Sequence, residues 1–259
     1  MKAVCLLVVI LFSGLLIPAS GCSSSTNMET GILKAAIVDQ LDIRQPNPDF
    51  IAQSKKILES FGLQVDVWRG SQVTVDFYRN LPSMGYRFIL LRVHSGTLME
   101  LKGNQTVELP DTYLFTAENY TSKRYAADQL SDKVSYAVMD ENTSEVFAVN
   151  SKFVRDSKGS FNRTIILSMG CESFRHTDLE QAFMAKGASI YIGWSDVVTL
   201  DHVDRVTLQL IRDYFSGGMT IQQGIADISQ QIGPDPYFGS YLKFSPETSG
   251  TRTMKELLE

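Results

Sequence analysis

The chain has 259 residues, long enough for one large domain or two small ones with a buried core. Hydrophobic residues at 44% and charged residues at 20% exclude a disordered or low-complexity chain. A net charge of −5 excludes the broad positive field of a nucleic-acid binder, and only three cysteines exclude a disulfide framework.

Met1-Lys2 is followed by an apolar run from Ala3 to Pro18 and then by small residues, the layout of a secretory signal. The run is short for a stable span, which needs about 20 apolar residues. The junction Ala19-Ser20-Gly21-Cys22, with Ser23-Ser24-Ser25 behind it, resembles a prokaryotic lipoprotein lipobox. That resemblance implies a lipidated Cys22, a polar tether over 23–31 and a folded domain over 32–259. An uncleaved anchor and plain secretion are the other readings of the same residues. All three place the folded part outside the cytoplasm, and two hold it at a membrane surface.

From Gly31 onward, strand-length apolar runs alternate with stretches of helical period. Lys34–Leu41 predicts a buried strand. Pro48-Asp49 opens a helix to about Phe61, and Gly62 stands where a C-terminal cap belongs. Leu63–Trp68 predicts a second strand, Val73–Leu81 a short helix before Pro82, and Tyr86–Val93 a third strand covered on both faces. The stretch 97–162 is less regular. Its short β-like pieces, Tyr113–Phe115 and Glu145–Val149, predict a β-rich insertion containing a hairpin. Asn104, Asn119, Asn142 and Asn162 carry Asn-X-Ser/Thr sequons, which mark surface positions only in a host that glycosylates exported proteins.

The alternation then resumes. Thr164–Met169 predicts a fourth strand, Leu179–Lys186 a helix closed by Gly187, and Ala188–Trp194 a fifth strand. His202–Phe215 predicts a long amphipathic helix. Thr220 caps another to about Ile232, and Tyr241–Phe244 makes a sixth strand. The whole predicts an α/β fold with a mainly parallel sheet of about six strands and helices on both faces.

In such sheets functional groups gather at the carboxyl ends of the strands. Strand three ends in His94-Ser95-Gly96, and strand four in Gly170-Cys171-Glu172-Ser173. Cys171 is the only cysteine of the folded part. A thiol needs a base or cation beside it to act as a nucleophile, and His is the natural partner near neutral pH. His94 and Cys171 therefore form a candidate dyad if their strands are neighbours. Backbone N–H groups near Ser95, Gly96 and Gly170 are candidate oxyanion donors. The bland alternatives are a buried small hydrophobe and a structural strand-end histidine.

A strand ending in His, then Gly shortly after, followed by a later strand ending in Cys, resembles the caspase-like cysteine peptidases: caspases, legumain, gingipains, separases and CHAT domains. Gly170-Cys171-Glu172-Ser173 is similar to the nucleophile segment of legumain. Leu179–Phe183 and Lys186–Trp194 are similar to the helix and strand that follow the nucleophile in CHAT and gingipain-like domains. The resemblance covers about 34–232 and implies a caspase-like fold, His94 as base, Cys171 as nucleophile and a peptide or protein substrate, with no cofactor. Ser95 intervenes where the family has Gly directly after His. Met169 stands where members that cut after Arg or Lys often carry an acid. These departures keep a second expectation open, a catalytically inactive binding module on the same scaffold.

The remaining polar candidates have weaker context. His176 is a rival base on a loop, and His202 starts or caps a helix. Glu172, Asp196 and Trp194 are candidate pocket residues. No His/Cys/Asp/Glu cluster has metal-ligand spacing, and no Gly-rich phosphate loop is present.

Overall fold

Five apolar runs build the centre of the molecule. In the computed structural model, which describes residues 32–138 and 144–259, they become β1 (Lys34–Asp39), β2 (Gln64–Arg69), β3 (Tyr86–Arg92), β8 (Thr164–Ser168) and β9 (Ala188–Trp194). All five run parallel. A short β10 (Leu242–Ser245) closes the edge antiparallel to β9, giving the order β10-β9-β8-β3-β1-β2. The runs of β1, β3, β8 and β9 are apolar almost throughout because helices or a second sheet cover both faces. Cys22 and the whole N-terminal segment to Gly31 lie outside the described residues, as does Asn142.

Local signals set the helices. In α1 (Pro48–Ser60) the Asn47 side chain accepts the Phe50 N–H at 3.0 Å, Pro48 fills the first turn, and Gly62 turns the chain out at φ +98°. The helix α2 is shorter than its sequence pattern, Val75–Asn80, and a 3-10 turn carries Pro82. After α3 (Ala126–Leu130) and α4 (Ser151–Asp156) come α5 (Asp178–Ala185) and α6 (Leu200–Phe215). Thr220 caps α7 (Ile221–Gln231) with a reciprocal bond from Gln223, and α8 (Met254–Leu258) ends the chain. On one face of the sheet α1, α6, α7 and α8 supply Phe50, Leu58, Val206, Leu210, Ile228 and Met254 to a continuous core. On the other face α2, α4 and α5 pack with Phe77, Phe153 and Phe183.

The expected hairpin is larger than the sequence pattern indicates. It is a four-stranded antiparallel sheet, β4 (Ser95–Lys102), β5 (Gln105–Asn119), β7 (Val146–Asn150) and β6 (Val134–Ala137), in the order β4-β5-β7-β6. It begins at Ser95, directly after the end of β3. Leu114, Val134, Phe147 and Val149 bury its inner face against the α2, α4 and α5 side of the core. The β-rich insertion therefore starts beside the carboxyl end of the third strand.

Candidate active site

The ladder between β3 and β8 sets Leu91 against Ser168, and it runs one step further through the Met169 N–H to the Leu91 carbonyl at 2.9 Å. Counted on by three residues, that register sets His94 against Cys171. Side chains alternate along a strand with a period of two. His94 therefore follows Phe88, Leu90 and Arg92, while Cys171 follows Ile165, Leu167 and Met169. Phe88, Leu90, Ile165, Leu167 and Met169 belong to a single core, with Cys171 packed against it. Two residues distant in sequence are thereby aimed toward the same side of the sheet at its carboxyl edge.

Both line one cavity of about 150 Å³. Its walls are Leu41, Met169, Val198, Leu200 and Val203, and Arg92 and Gln45 line it too. The Cys171 Sγ–H donates to the Val198 carbonyl at 3.5 Å. Burial pushes the thiol above its ordinary value, and the nearby Glu172 charge adds to this. Burial also pushes the His94 imidazole below its ordinary value, helped by the Arg92 and Arg44 cations. At neutral pH the site therefore holds a thiol and a neutral imidazole rather than a thiolate–imidazolium pair. His94 itself is fixed at its backbone. Its N–H donates to Gln40 Oε1 at 3.0 Å, and its carbonyl accepts from the Phe115 N–H at 2.9 Å.

Beneath the cavity lies a fully buried ionic group. Arg92 is 0% exposed and donates to Asp39 Oδ1 at 2.8 Å, to both Asp204 oxygens at 2.9 Å, and to the Gln45 carbonyl at 3.0 Å. Asn47, the cap of α1, donates to Asp204 Oδ2 at 2.9 Å. This knot ties the ends of β1 and β3 to α6 and α1, so the helix that walls the cavity is held to the strand ends beside it. Burial pushes the Asp39 carboxyl up against the opposing pull of Arg92.

Ser95 and Gly170 bring the two strand ends together. The Ser95 hydroxyl donates to the Cys171 carbonyl at 2.5 Å. A Cβ on Gly170 would fall 2.1 Å from Ser95 Oγ and 2.9 Å from the Val93 carbonyl, so only glycine fits. Gly96 has no such constraint, because a Cβ there would make an ordinary 3.7 Å contact with Glu172. Ser95 and Gly96 are both residues of β4, paired with Leu114 and Tyr113.

The other candidate residues stand outside the cavity. Glu172 adopts φ +56° and turns its carboxylate to β4, where Oε2 accepts the Thr97 N–H at 2.9 Å and its hydroxyl at 3.1 Å. Asp196 pairs with Arg175 at 2.7 Å, and its carbonyl accepts the Glu172 N–H at 3.0 Å. His176 contacts Glu108 of β5 at 2.9 Å. His202 lies in the first turn of α6, buried edge-on against Trp194. Trp194 walls a separate apolar cavity of about 340 Å³ with Ile225, Ile228 and Leu242. Glu172, Asp196 and Trp194, the candidate pocket residues, do not line the cavity of His94 and Cys171, whereas Trp194 is a wall of the neighbouring one. The two acids spend their charge clamping the hairpin and loops around Cys171, and the indole points into the core and the neighbouring cavity.

Motif and spacing alone do not distinguish Arg92 or Arg44. Arg92 sits inside the apolar run YRFILLRV, and its signal is the matching acid, Asp39, at the end of the neighbouring strand's run. Arg44 lies in an exposed polar stretch with no pattern to distinguish it. The chain matches no known protein-family model and no curated protein.

Proposed function

We propose that the chain is a cysteine-type peptidase of caspase-like architecture, in which His94 is the base and Cys171 the nucleophile. The observation that carries this reading is the placement of both side chains on one cavity at the carboxyl ends of adjacent parallel strands. The mixed six-stranded sheet, with helices on both faces and a β-rich insertion after the His-bearing strand, agrees with that architecture.

The chemistry follows from the neutral pair. As the substrate carbonyl reaches Cys171, His94 takes the thiol proton and the sulfur–carbon bond forms. The imidazolium then hands that proton to the leaving amine as the carbon–nitrogen bond breaks. Water, deprotonated by His94, attacks the thioester, releasing the acid and restoring the thiol. On this reading backbone N–H groups around Ser95, Gly96 and Gly170 serve as the oxyanion donors. On this reading the chain works as an exported enzyme, tethered through Cys22.

The test is hydrolysis of denatured casein under reducing conditions by the wild type and by Cys171→Ala and His94→Ala. Both variants are expected to lose at least 100-fold in rate, the scale of general-base and nucleophilic contributions. Wild-type rates in Cys171→Ala, or no hydrolysis by the wild type, would overturn the reading. A non-catalytic binding module is the second reading, favoured by the thiol's bond to the Val198 carbonyl. It predicts full partner binding by Cys171→Ala with no turnover by the wild type.

A further inference from the structure

His94 stands between two cavities. The first holds Cys171. The second, about 100 Å³, is walled by Leu41, Ile43, Ala117 and Val146 together with Gln40, Arg44 and Asn119. Leu41 and His94 line both, and Cys171 lines only the first. No acidic side chain among the described residues lines the second cavity. Among the described residues the Arg44 guanidinium has no hydrogen bond or ion pair, and it lies within electrostatic reach of His94. Its neighbour in sequence, Asp42, is engaged by Arg69 at 3.3 Å. The described lining of the second cavity thus carries a cation, Arg44, and no acid, next to the imidazole.

In acyl transfer by a Cys–His pair the sulfur takes the acyl part, and the imidazole protonates the departing amine. The residue that leaves thus lies on the imidazole's side. We propose that Arg44 makes the second cavity an anion subsite for a carboxylate carried by the leaving-group residue, directly after the scissile bond. That carboxylate is either the side chain of Asp or Glu or the main-chain terminus of a single departing residue. The inference rests on the peptidase reading for its direction and on the Arg44 guanidinium for its chemistry. A carboxylate seated there also offsets the Arg44 charge that opposes protonation of His94, so the matching substrate favours the proton transfer that starts the reaction.

The full-length protein and its Arg44→Gln and Arg44→Glu variants are given a peptide library from a denatured proteome, and cut sites are read by mass spectrometry. Asp and Glu are expected to be enriched about fivefold directly after the cut, the upper range for a solvent-exposed ion pair. The enrichment disappears in Arg44→Gln and turns to Lys and Arg in Arg44→Glu. Acid-independent removal of single C-terminal residues, lost in Arg44→Gln, identifies the main-chain carboxylate instead. Cutting with neither preference, or a preference that survives Arg44→Gln, overturns the subsite.

A binding measurement separates this from catalysis. Asp-Ala-Ala-amide is compared with Asn-Ala-Ala-amide, and free alanine with alanine amide, on Cys171→Ala by calorimetry. The carboxylate form of at least one pair is expected to bind about fivefold tighter, and equally in Cys171→Ala/Arg44→Gln. Equal binding in both pairs overturns the subsite whatever the library shows. A carboxylate preference without any cleavage sinks the peptidase reading and leaves the anion site standing.

Discussion

The Ser95 hydroxyl reaches across from the start of β4 to the Cys171 carbonyl at 2.5 Å, and it does so over Gly170, whose missing side chain leaves the room. The bond fixes the Cys171 backbone to the strand that follows His94. It also makes residue 170 intolerant of a Cβ on two sides, one of them the Val93 carbonyl. Gly170→Ala is expected to cost about 1–3 kcal/mol, the range for overpacking a filled site. Ser95→Ala removes the hydroxyl oxygen but not the Val93 carbonyl. The double variant is therefore expected to recover part of the loss. Urea unfolding of the four proteins of the cycle measures this, and strict additivity would show that the two residues do not share the site.

The resting protonation state gives a second prediction. Because the thiol is pushed above its ordinary value of 9.0 and the imidazole below 6.5, the free protein holds little thiolate at pH 7. Iodoacetamide labelling of Cys171 is expected to rise with a midpoint above pH 9. The acid limb of kcat/KM, which reports the free base, is expected below pH 6.5. A labelling midpoint near or below pH 7 would reveal a preformed ion pair and contradict the electrostatics described for the cavity.

Arg92 supports the same cavity from below, and its removal should be severe. Arg92→Met leaves Asp39 and Asp204 buried without their cation. The expected cost is about 3–5 kcal/mol, typical of breaking a buried ion pair from one side. Asp39→Asn is expected to cost less, because Asp204 still holds the guanidinium through two oxygens and the amide keeps an acceptor. Equal losses for the two variants in urea unfolding would show that Asp39, not Arg92, is the centre of the knot.

Much of this arrangement was legible in the sequence because burial on both faces writes itself into composition. The runs in β1, β3, β8 and β9 are almost wholly apolar, and His94 and Cys171, the candidate pair, follow within three residues of the ends of β3 and β8. The caps Thr220 and Gly62 are likewise local chemistry. The four-stranded sheet was less legible, since β4 (SGTLMELK) is largely exposed and β5 carries Pro110 and a register shift. A signal did exist. Lys102 pairs with Gln105 across the two-residue turn Gly103-Asn104, a hairpin signature between alternating strands. The Arg92 knot joins residues over 100 positions apart. Asp204 belongs to it only because α6 crosses over β3, which no local pattern records.

The loop that leads into β10 offers a last test, through Asp235. Its carboxylate accepts the Thr199 N–H at 2.8 Å and hydroxyl at 2.7 Å, and the Tyr237 and Phe238 N–H groups at 2.9 Å each. Thr199 is the residue that opens α6, so the loop is tied to the helix bearing Leu200, Val203 and Asp204. These bonds hold the carboxyl at about 2, down from 3.8, although burial alone would raise it. A depressed carboxylate contributes stability that is present above the unfolded value and is lost as pH falls through the folded one. Here the window runs from about 4 down to about 2, and the contribution near neutral pH is about 2 kcal/mol. Asp235→Asn is therefore expected to unfold at lower urea than the wild type at pH 7, and the gap should narrow below pH 4. A gap that stays constant from pH 7 to pH 2.5 would mean that the loop is held by its shape and not by the carboxylate's charge.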